Sequence, residues 1–443
     1  MTDGPQRDEG GSLARASGEL FAARLVASLG FLVVVVVLSR SLGPSGRGVL
    51  AFVTVAALLV AKIAEVGLGA AAVFFAARRP RERAALLTTQ LAFVVSSTAV
   101  LMGAIATLLL IVPGARPDGL DETLLVLLVP ATVLTAVTEW SLAFLLGARR
   151  TRAQAIGTVV GPWLYAGALG IVSLVTELDV VSAAVAWVIG YLAWSIALVG
   201  LSVRAVGLAR PSRAMLSESL GFGLRALGGG LARTLNARFD QLLLAYLSTQ
   251  AALGVYAVAV NASEVLLYLP AAIAMAFAPA AAVTSHDERS GRTLRALRVA
   301  LLLTAASLVP SLILGPLLIP AVFGKAFSDS VTPFLVLVPG AIGYVLLRIF
   351  SAALLGSSLP GRASAAALAS LGSGIALVVI LAPPFGATGA AVAATAALWL
   401  GGIVAAGLYR ASAPFEVREL VPRRADVHLV AERARSLGSR RHR

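Results

Sequence analysis

Apolar residues in this chain come in blocks that recur from end to end, each long enough to cross a lipid bilayer. A helix needs about 20 residues to traverse about 30 Å of hydrocarbon. Blocks of this kind fall at 17–39, 48–76, 84–112, 121–146, 153–175, 180–206, 217–246, 252–283, 294–323, 331–356, 363–382 and 386–408. The pattern predicts an all-α membrane protein of about 12 transmembrane helices. Composition excludes the alternatives. Of the 443 residues, 58% are hydrophobic and only 13% charged, whereas soluble domains carry about a quarter charged residues. Disordered chains are poor in apolar residues, and the strands of a membrane barrel would alternate polar with apolar positions. There is no Cys, and there are three His, so no disulfide framework, metal centre or cofactor is expected.

The net charge of +14 is distributed in a way that orients the chain. With the N-terminus on the cytoplasmic side, the inner loops carry Arg78, Arg79, Arg81 and Arg83, then Arg149, Arg150 and Arg152. Arg204, Arg210 and Arg213 follow, then Arg289, Arg292, Arg295 and Arg298, and the C-terminal tail adds more. The opposite loops hold few cations and are accompanied by Asp118, Asp121, Glu122, Glu177, Asp179 and Asp329. This bias puts both termini in the cytoplasm and the protein in the plasma or inner membrane of the cell. Cations spread over loop ends, rather than gathered on one face with aromatic residues, argue against a nucleic-acid partner. Short loops leave no room for the extramembrane domain of a glycosyltransferase or polymerase. The chain lacks the Gly-rich Lys-Ser/Thr loop of nucleotide hydrolases, so no enzyme is expected, and transport would run on a gradient.

Two stretches suggest an internal repeat. Gly48-Val49-Leu50-Ala51 matches Gly254-Val255-Tyr256-Ala257, and Ser182-Ala183-Ala184-Val185-Ala186 matches Gly389-Ala390-Ala391-Val392-Ala393 at nearly the same offset. The expected organisation is a disordered tail over 1–16, a six-helix bundle over 17–208, a second over 209–408, and a basic cytoplasmic tail over 409–443. An even number of spans per half would relate the bundles by a pseudo-two-fold along the membrane normal. Coincidence in an Ala- and Val-rich chain is the alternative.

The segment LSRSLGPSGRGVLAFVTVAALLVAKIAEVGLGAAAVFFAARR carries more specific information. Its Arg40, Leu42-Gly43-Pro44, Gly48 and Glu65-Val66-Gly67-Leu68-Gly69 resemble the opening of the polysaccharide biosynthesis flippases. These are Wzx-type exporters of O-antigen and exopolysaccharide, within the multidrug/oligosaccharidyl-lipid/polysaccharide exporter superfamily. Asp240, the turn before Gly254-Val255-Tyr256, and the run Pro383-Pro384-Phe385-Gly386-Ala387-Thr388-Gly389-Ala390-Ala391 fit as well. The resemblance covers roughly residues 15–410 and rests on structural turns. It implies two bundles around a central cavity that opens alternately to each side. It also implies a polyprenyl-pyrophosphate-linked oligosaccharide as cargo, with the lipid bilayer, a polysaccharide polymerase and glycosyltransferases as candidate partners.

A pyrophosphate crossing hydrocarbon needs a wet, cationic interior. Ionisable residues at bilayer depth cost at least about 2.5–3.5 kcal/mol each and normally face a cavity or a partner. The blocks contain Arg24, Lys62, Glu65, Glu139, Arg225, Arg233, Arg238, Asp240, Glu264 and Arg348. Arg233, Asn236 and Asp240 share one helical stripe, and a guanidinium matches phosphate oxygens with a rigid fork of donors. Arg24, Arg233, Arg238 and Asn236 are therefore candidate pyrophosphate ligands; pairing of Arg233 or Arg238 with Asp240 is the structural alternative. Asp240, Glu264, Glu139 and Glu65 are candidates for ion coupling, although Lys62 and Glu65, one turn apart, would equally well neutralise each other. Gly221, Gly223 and Gly228-Gly229-Gly230 would let the seventh span bend or pack closely. Pro residues at 130, 162, 270, 310, 316, 320, 333 and 339 could kink theirs.

The function expected from these residues is a flippase moving a lipid-linked oligosaccharide, a cell-surface polysaccharide precursor, from the inner to the outer leaflet by alternating access. An ion-coupled multidrug or small-metabolite antiporter of the same superfamily is the alternative. A scaffold that only docks a glycan assembly complex is a third reading, and its intramembrane charges would tolerate substitution.

Overall fold

A computed structural model describes residues 6–112, 114, 116–264, 286–423 and 426, with side chains from residue 22 onward except at 229, 230, 233 and 286–290. Among the described residues there is no strand. The helices are α1 (Gln6–Ala64), α2 (Leu68–Arg78), α3 (Arg83–Ile111), α4 (Glu122–Gly147), α5 (Thr151–Ser173), α6 (Val180–Val206) and α7 (Arg213–Leu247). Then come α8, described over 250–264, α9 (His286–Phe323), α10 (Val331–Leu337), α11 (Gly340–Gly356) and α12 (Pro360–Arg410). The fold is that of an all-α, multi-pass membrane protein.

Seven of the described helices are long and apolar enough to cross a membrane, and an eighth span arises if α10 and α11, bent by 46°, count as one. The number is lower than the number of apolar blocks for identifiable reasons. The two longest helices, α1 and α12, each run through two blocks and bend between them at a glycine, Gly43 (φ 64°, ψ −176°) and Gly386 (φ 51°, ψ −127°). Only glycine takes such angles without a Cβ penalty. Pro44 and the Pro383-Pro384 pair stand beside these bends and remove the backbone N–H groups that would hold the helix straight. Pro130, Pro162, Pro310, Pro316 and Pro320 lie inside α4, α5 and α9, whereas Pro339 marks the break before α11 and Pro270 lies outside the described residues. α7 carries Arg225, Arg238 and Asp240 along its length, which dilutes its apolar character. α1 begins at Gln6, ahead of the boundary expected at residue 17.

The chain forms two compact units, Met1–Thr234 and Leu235–Arg443, so the division falls within α7 and not at the loop expected near 208. Packing explains the shift. The Gly223 carbonyl lies where a Cβ on Gly67 would be, and Gly67 itself has φ 72°. Phe222 stacks on Phe74 with ring centroids 4.5 Å apart, and the Gln90 amide donates to the Ser219 hydroxyl at 3.0 Å. Arg79 grips Glu218 with two bonds of 2.7 and 2.5 Å. These contacts hold the first half of α7 to α2 and α3.

The first unit is built around α4, whose Trp140 and Phe144 are fully buried beside Leu68 and Leu87. Gly147 lets α4 approach the backbone of Ala72 and Val73 in α2, where a Cβ would stand 2.6 Å away. Two buried indoles are paired: that of Trp140 donates to Gln90 at 3.0 Å, and that of Trp194 donates to the Gly157 carbonyl at 2.8 Å.

The second unit packs α9, α11 and α12 around Phe350, Leu354 and Tyr409. Residues after α12 return to this core. Phe415 stacks on Phe350 at 5.6 Å, and Arg298 donates to Asp426 at 2.7 Å and to the Glu419 carbonyl at 3.1 Å. The first part of the basic tail is thus seated on the second unit by an aromatic stack and a buried ion pair.

Candidate functional site

Each unit pairs charged side chains internally. In the first unit the site grows from the break between α1 and α2. Val66 and Gly67 adopt left-handed backbone angles, φ 50° and 72°, and end α1 just after Lys62. Glu65 occupies this turn, buried, and accepts from the Gly69 N–H at 3.3 Å. The Lys62 ammonium lies 3.4 Å from Glu65 and 3.3 Å from Glu139 of α4. Lys62 and Glu65 do pair, as their spacing suggested, but the pairing is incomplete as a neutralisation. Two carboxylates share one ammonium, which leaves a formal negative charge on the cluster. Glu139 is 43% exposed at its side chain while Glu65 is 8% exposed, so the cluster has a wet end and a dry end. The sequence alone gives no hint that α4 would bring Glu139 to this turn.

In the second unit the partner of Arg238 is not Asp240: Arg238 binds Glu264 of α8 at 2.6 Å. Asp240 is buried and accepts from its neighbour's backbone, the Gln241 N–H at 2.7 Å, and from the Tyr256 hydroxyl. Tyr256 belongs to the Gly254-Val255-Tyr256 motif in α8, and its hydroxyl role is invisible in a sequence. Asn236 is engaged on both ends of its amide: it donates to the Ala367 carbonyl at 2.9 Å and accepts from the Ser370 hydroxyl at 3.3 Å. That anchors α7 to α12 and leaves the amide fewer free groups for a ligand. The Arg238–Glu264 pair keeps a quarter of each side chain exposed, so its atoms remain reachable.

The remaining candidates are dispersed. Arg24 is exposed on α1, and no partner for its guanidinium stands among the described residues. The side chain of Arg233 lies outside the described residues. Arg225 folds back on the Gly221 carbonyl at 3.0 Å. Arg348 lies over the Tyr344 ring at 5.8 Å, and its Nε is buried without a hydrogen-bond partner. Chemically, the two clusters can exchange a proton or bind a cation at a carboxylate, and Arg238 can present donors to an anion when Glu264 releases it.

Solved structures share this fold. An inward-facing multidrug resistance transporter of the MATE family, in the MOP superfamily, is 16% identical with a TM-score of 0.67, over 88% of this chain and 94% of its own. The lipid II flippase MurJ, in an inward closed conformation, is 14% identical with a TM-score of 0.68, over 92% of this chain and 89% of its own. No curated protein matches the chain in sequence. The model of a family described as polysaccharide biosynthesis protein matches residues 37–332, two-thirds of the chain. The turns at Gly43 and Gly67 and the Gly254-Val255-Tyr256 motif fall inside this match, and the chain belongs to the polysaccharide biosynthesis protein family.

Proposed function

We propose that this protein is a flippase that moves a polyprenyl-pyrophosphate-linked oligosaccharide from the inner to the outer leaflet by alternating access, driven by an ion gradient. The observation that carries the reading is the pairing of cations with carboxylates in each unit: Lys62 with Glu65 and Glu139, and Arg238 with Glu264. Such groups are expensive in hydrocarbon and persist where they face water, a partner or a cargo. A paired cation is held ready at small desolvation cost until an anion displaces its carboxylate. In this scheme Arg24, Arg233 and Arg238 meet the pyrophosphate, while Asn236 positions α7 for them. Glu65, Glu139, Glu264 and Asp240 take up and release the coupling ion. The family match supports a polysaccharide precursor as cargo, and the MurJ likeness supports the fold for such a task. Both termini lie in the cytoplasm, with a polymerase and glycosyltransferases as partners that make and consume the cargo.

The test separates this reading from a drug antiporter on the same fold. Binding of a fluorescent polyprenyl-pyrophosphate oligosaccharide to the purified protein is compared with binding of a panel of organic cations. Saturable binding of the lipid that weakens at least tenfold in Arg238→Ala is expected. Binding of organic cations without the lipid would replace this proposal with the antiporter.

A further inference from the structure

A cluster of guanidiniums on the first unit stands apart from every ion pair described above. It forms where α2 and α4 end and α3 and α5 begin. Ala76 near the end of α2 and Ala148 just after α4 share one buried cluster, against which Val206 at the end of α6 packs, so the ends of these helices meet. Arg83, the first residue of α3, reaches back to the Ala76 carbonyl through its Nε at 2.6 Å. Arg150 sends one terminal nitrogen to the Ala205 carbonyl at the end of α6, at 3.3 Å. Arg149, directly before Arg150, has a left-handed conformation (φ 58°). Arg149 and Arg150 are both exposed and stand close enough to Arg83 for the three charges to repel one another.

Three like charges held together this way need an anion. Among the described residues no carboxylate pairs with any of the three; the partners they have are backbone carbonyls, which hold the guanidiniums in place without neutralising them. The nearby acids are already spent, since Glu82 and Glu218 both bind Arg79. α5 starts directly after Arg150 with no side chain capping its N-terminus, and a helix start adds its own positive end and free N–H groups. The position is also right for a lipid. α3, α4 and α5 are long and apolar enough to cross a membrane, and the ends of such spans reach the headgroup level.

We propose that Arg83, Arg149 and Arg150, together with the N-terminus of α5, bind the phosphate of an anionic lipid headgroup. Several guanidinium donors and a helix start suit a phosphate ester better than a carboxylate. Orientation bias alone asks only for positive charge in the loop; it does not ask for guanidiniums pinned to carbonyls around one point. The inference is independent of the cargo, because it concerns resident lipid at the membrane surface.

The test uses the full-length protein in neutral detergent, with phosphatidylglycerol and phosphatidylcholine as probes and native mass spectrometry counting bound lipid. Arg149→Gln with Arg150→Gln removes two exposed charges and spares Arg83, whose bond to Ala76 supports local packing. Arg210→Gln with Arg213→Gln removes the same charge from exposed positions outside the cluster. The wild type should retain phosphatidylglycerol in preference to phosphatidylcholine. The cluster variant should bind it about thirtyfold more weakly, two surface cations near a headgroup contributing about 1 kcal/mol each, and the control should bind like the wild type. Equal weakening in both variants, or in neither, would overturn the site. Displacement of the lipid by inorganic pyrophosphate at equal concentration, abolished in the cluster variant, would reassign it to a soluble phosphate and overturn the lipid proposal.

Discussion

Lys62 of α1 and Glu139 of α4 stand 3.3 Å apart, and Glu65 lies 3.4 Å from the same ammonium. Lys62 therefore holds two carboxylates that would otherwise repel each other beside the turn that separates α1 from α2. Lys62→Met should destabilise the protein by about 1–3 kcal/mol, the low end of what breaking a buried pair costs, because Glu139 keeps access to water. Adding Glu139→Gln should recover part of the loss. Thermal unfolding of both single variants and the double variant gives the coupling directly; strictly additive effects would mean that the two groups do not interact.

Gly67 and Gly223 predict a sharper effect. Alanine at 67 meets two obstacles, the left-handed backbone and the Gly223 carbonyl. The first alone costs about 1–2 kcal/mol, so Gly67→Ala should lose at least about 2–3 kcal/mol and fold poorly. Gly103 has open space around it, and Gly103→Ala should be neutral or slightly stabilising. Expression yield and melting temperature of the two variants side by side check the contrast.

The docked tail should respond to acid. Burial pushes the Asp426 carboxyl up, but the Arg423 backbone N–H and the Arg298 guanidinium outweigh it and hold the group below the ordinary carboxylate range. A depressed folded value means that the pair's stabilisation is complete above the unfolded value of about 3.9 and disappears as pH falls below it. Asp426→Asn should lower the melting temperature at neutral pH, by the equivalent of about 1–3 kcal/mol. The gap to wild type should close below about pH 4. A gap that is constant across this range would show that the carboxylate charge plays no part.

Removing the Tyr256 hydroxyl leaves buried Asp240 with the Gln241 N–H as its remaining described donor. Tyr256→Phe should cost about 1–3 kcal/mol. Tyr256→Phe combined with Asp240→Leu should cost less than the sum, since the second change removes the stranded acceptor. Urea or thermal titration of the three variants decides it.

How much of this was legible in the sequence follows from range. Span lengths and the all-α fold were, because apolar blocks are local features: the expected block at 180–206 coincides with α6. The turns were legible too, since Gly43-Pro44 and Glu65-Val66-Gly67 announce breaks in the chain itself. The Lys62–Glu65 pair is one helical turn apart and could be read directly. Glu139 joining it could not, because nothing local says which face of α4 meets α1. For the same reason the pairing of Arg238 with Asp240, weighed as the structural alternative, gives way to Glu264 on the next helix. A loop near 208 is visible in composition, whereas the docking of Phe222 and Glu218 onto α2 is a tertiary matter. Asn236 was read as a ligand from its place on a stripe; its bonds to Ala367 and Ser370 depend on α12, far along the chain.

The most direct test of the flippase account is a leaflet assay. Protein and a fluorescent polyprenyl-pyrophosphate oligosaccharide are reconstituted into liposomes, an ion gradient is imposed, and added lectin or glycosidase reports the glycan that has reached the outer face. The account predicts transfer that needs the protein, responds to a proton or sodium gradient, and falls at least tenfold in Arg238→Ala. Transfer no faster than in protein-free liposomes under either gradient would contradict it.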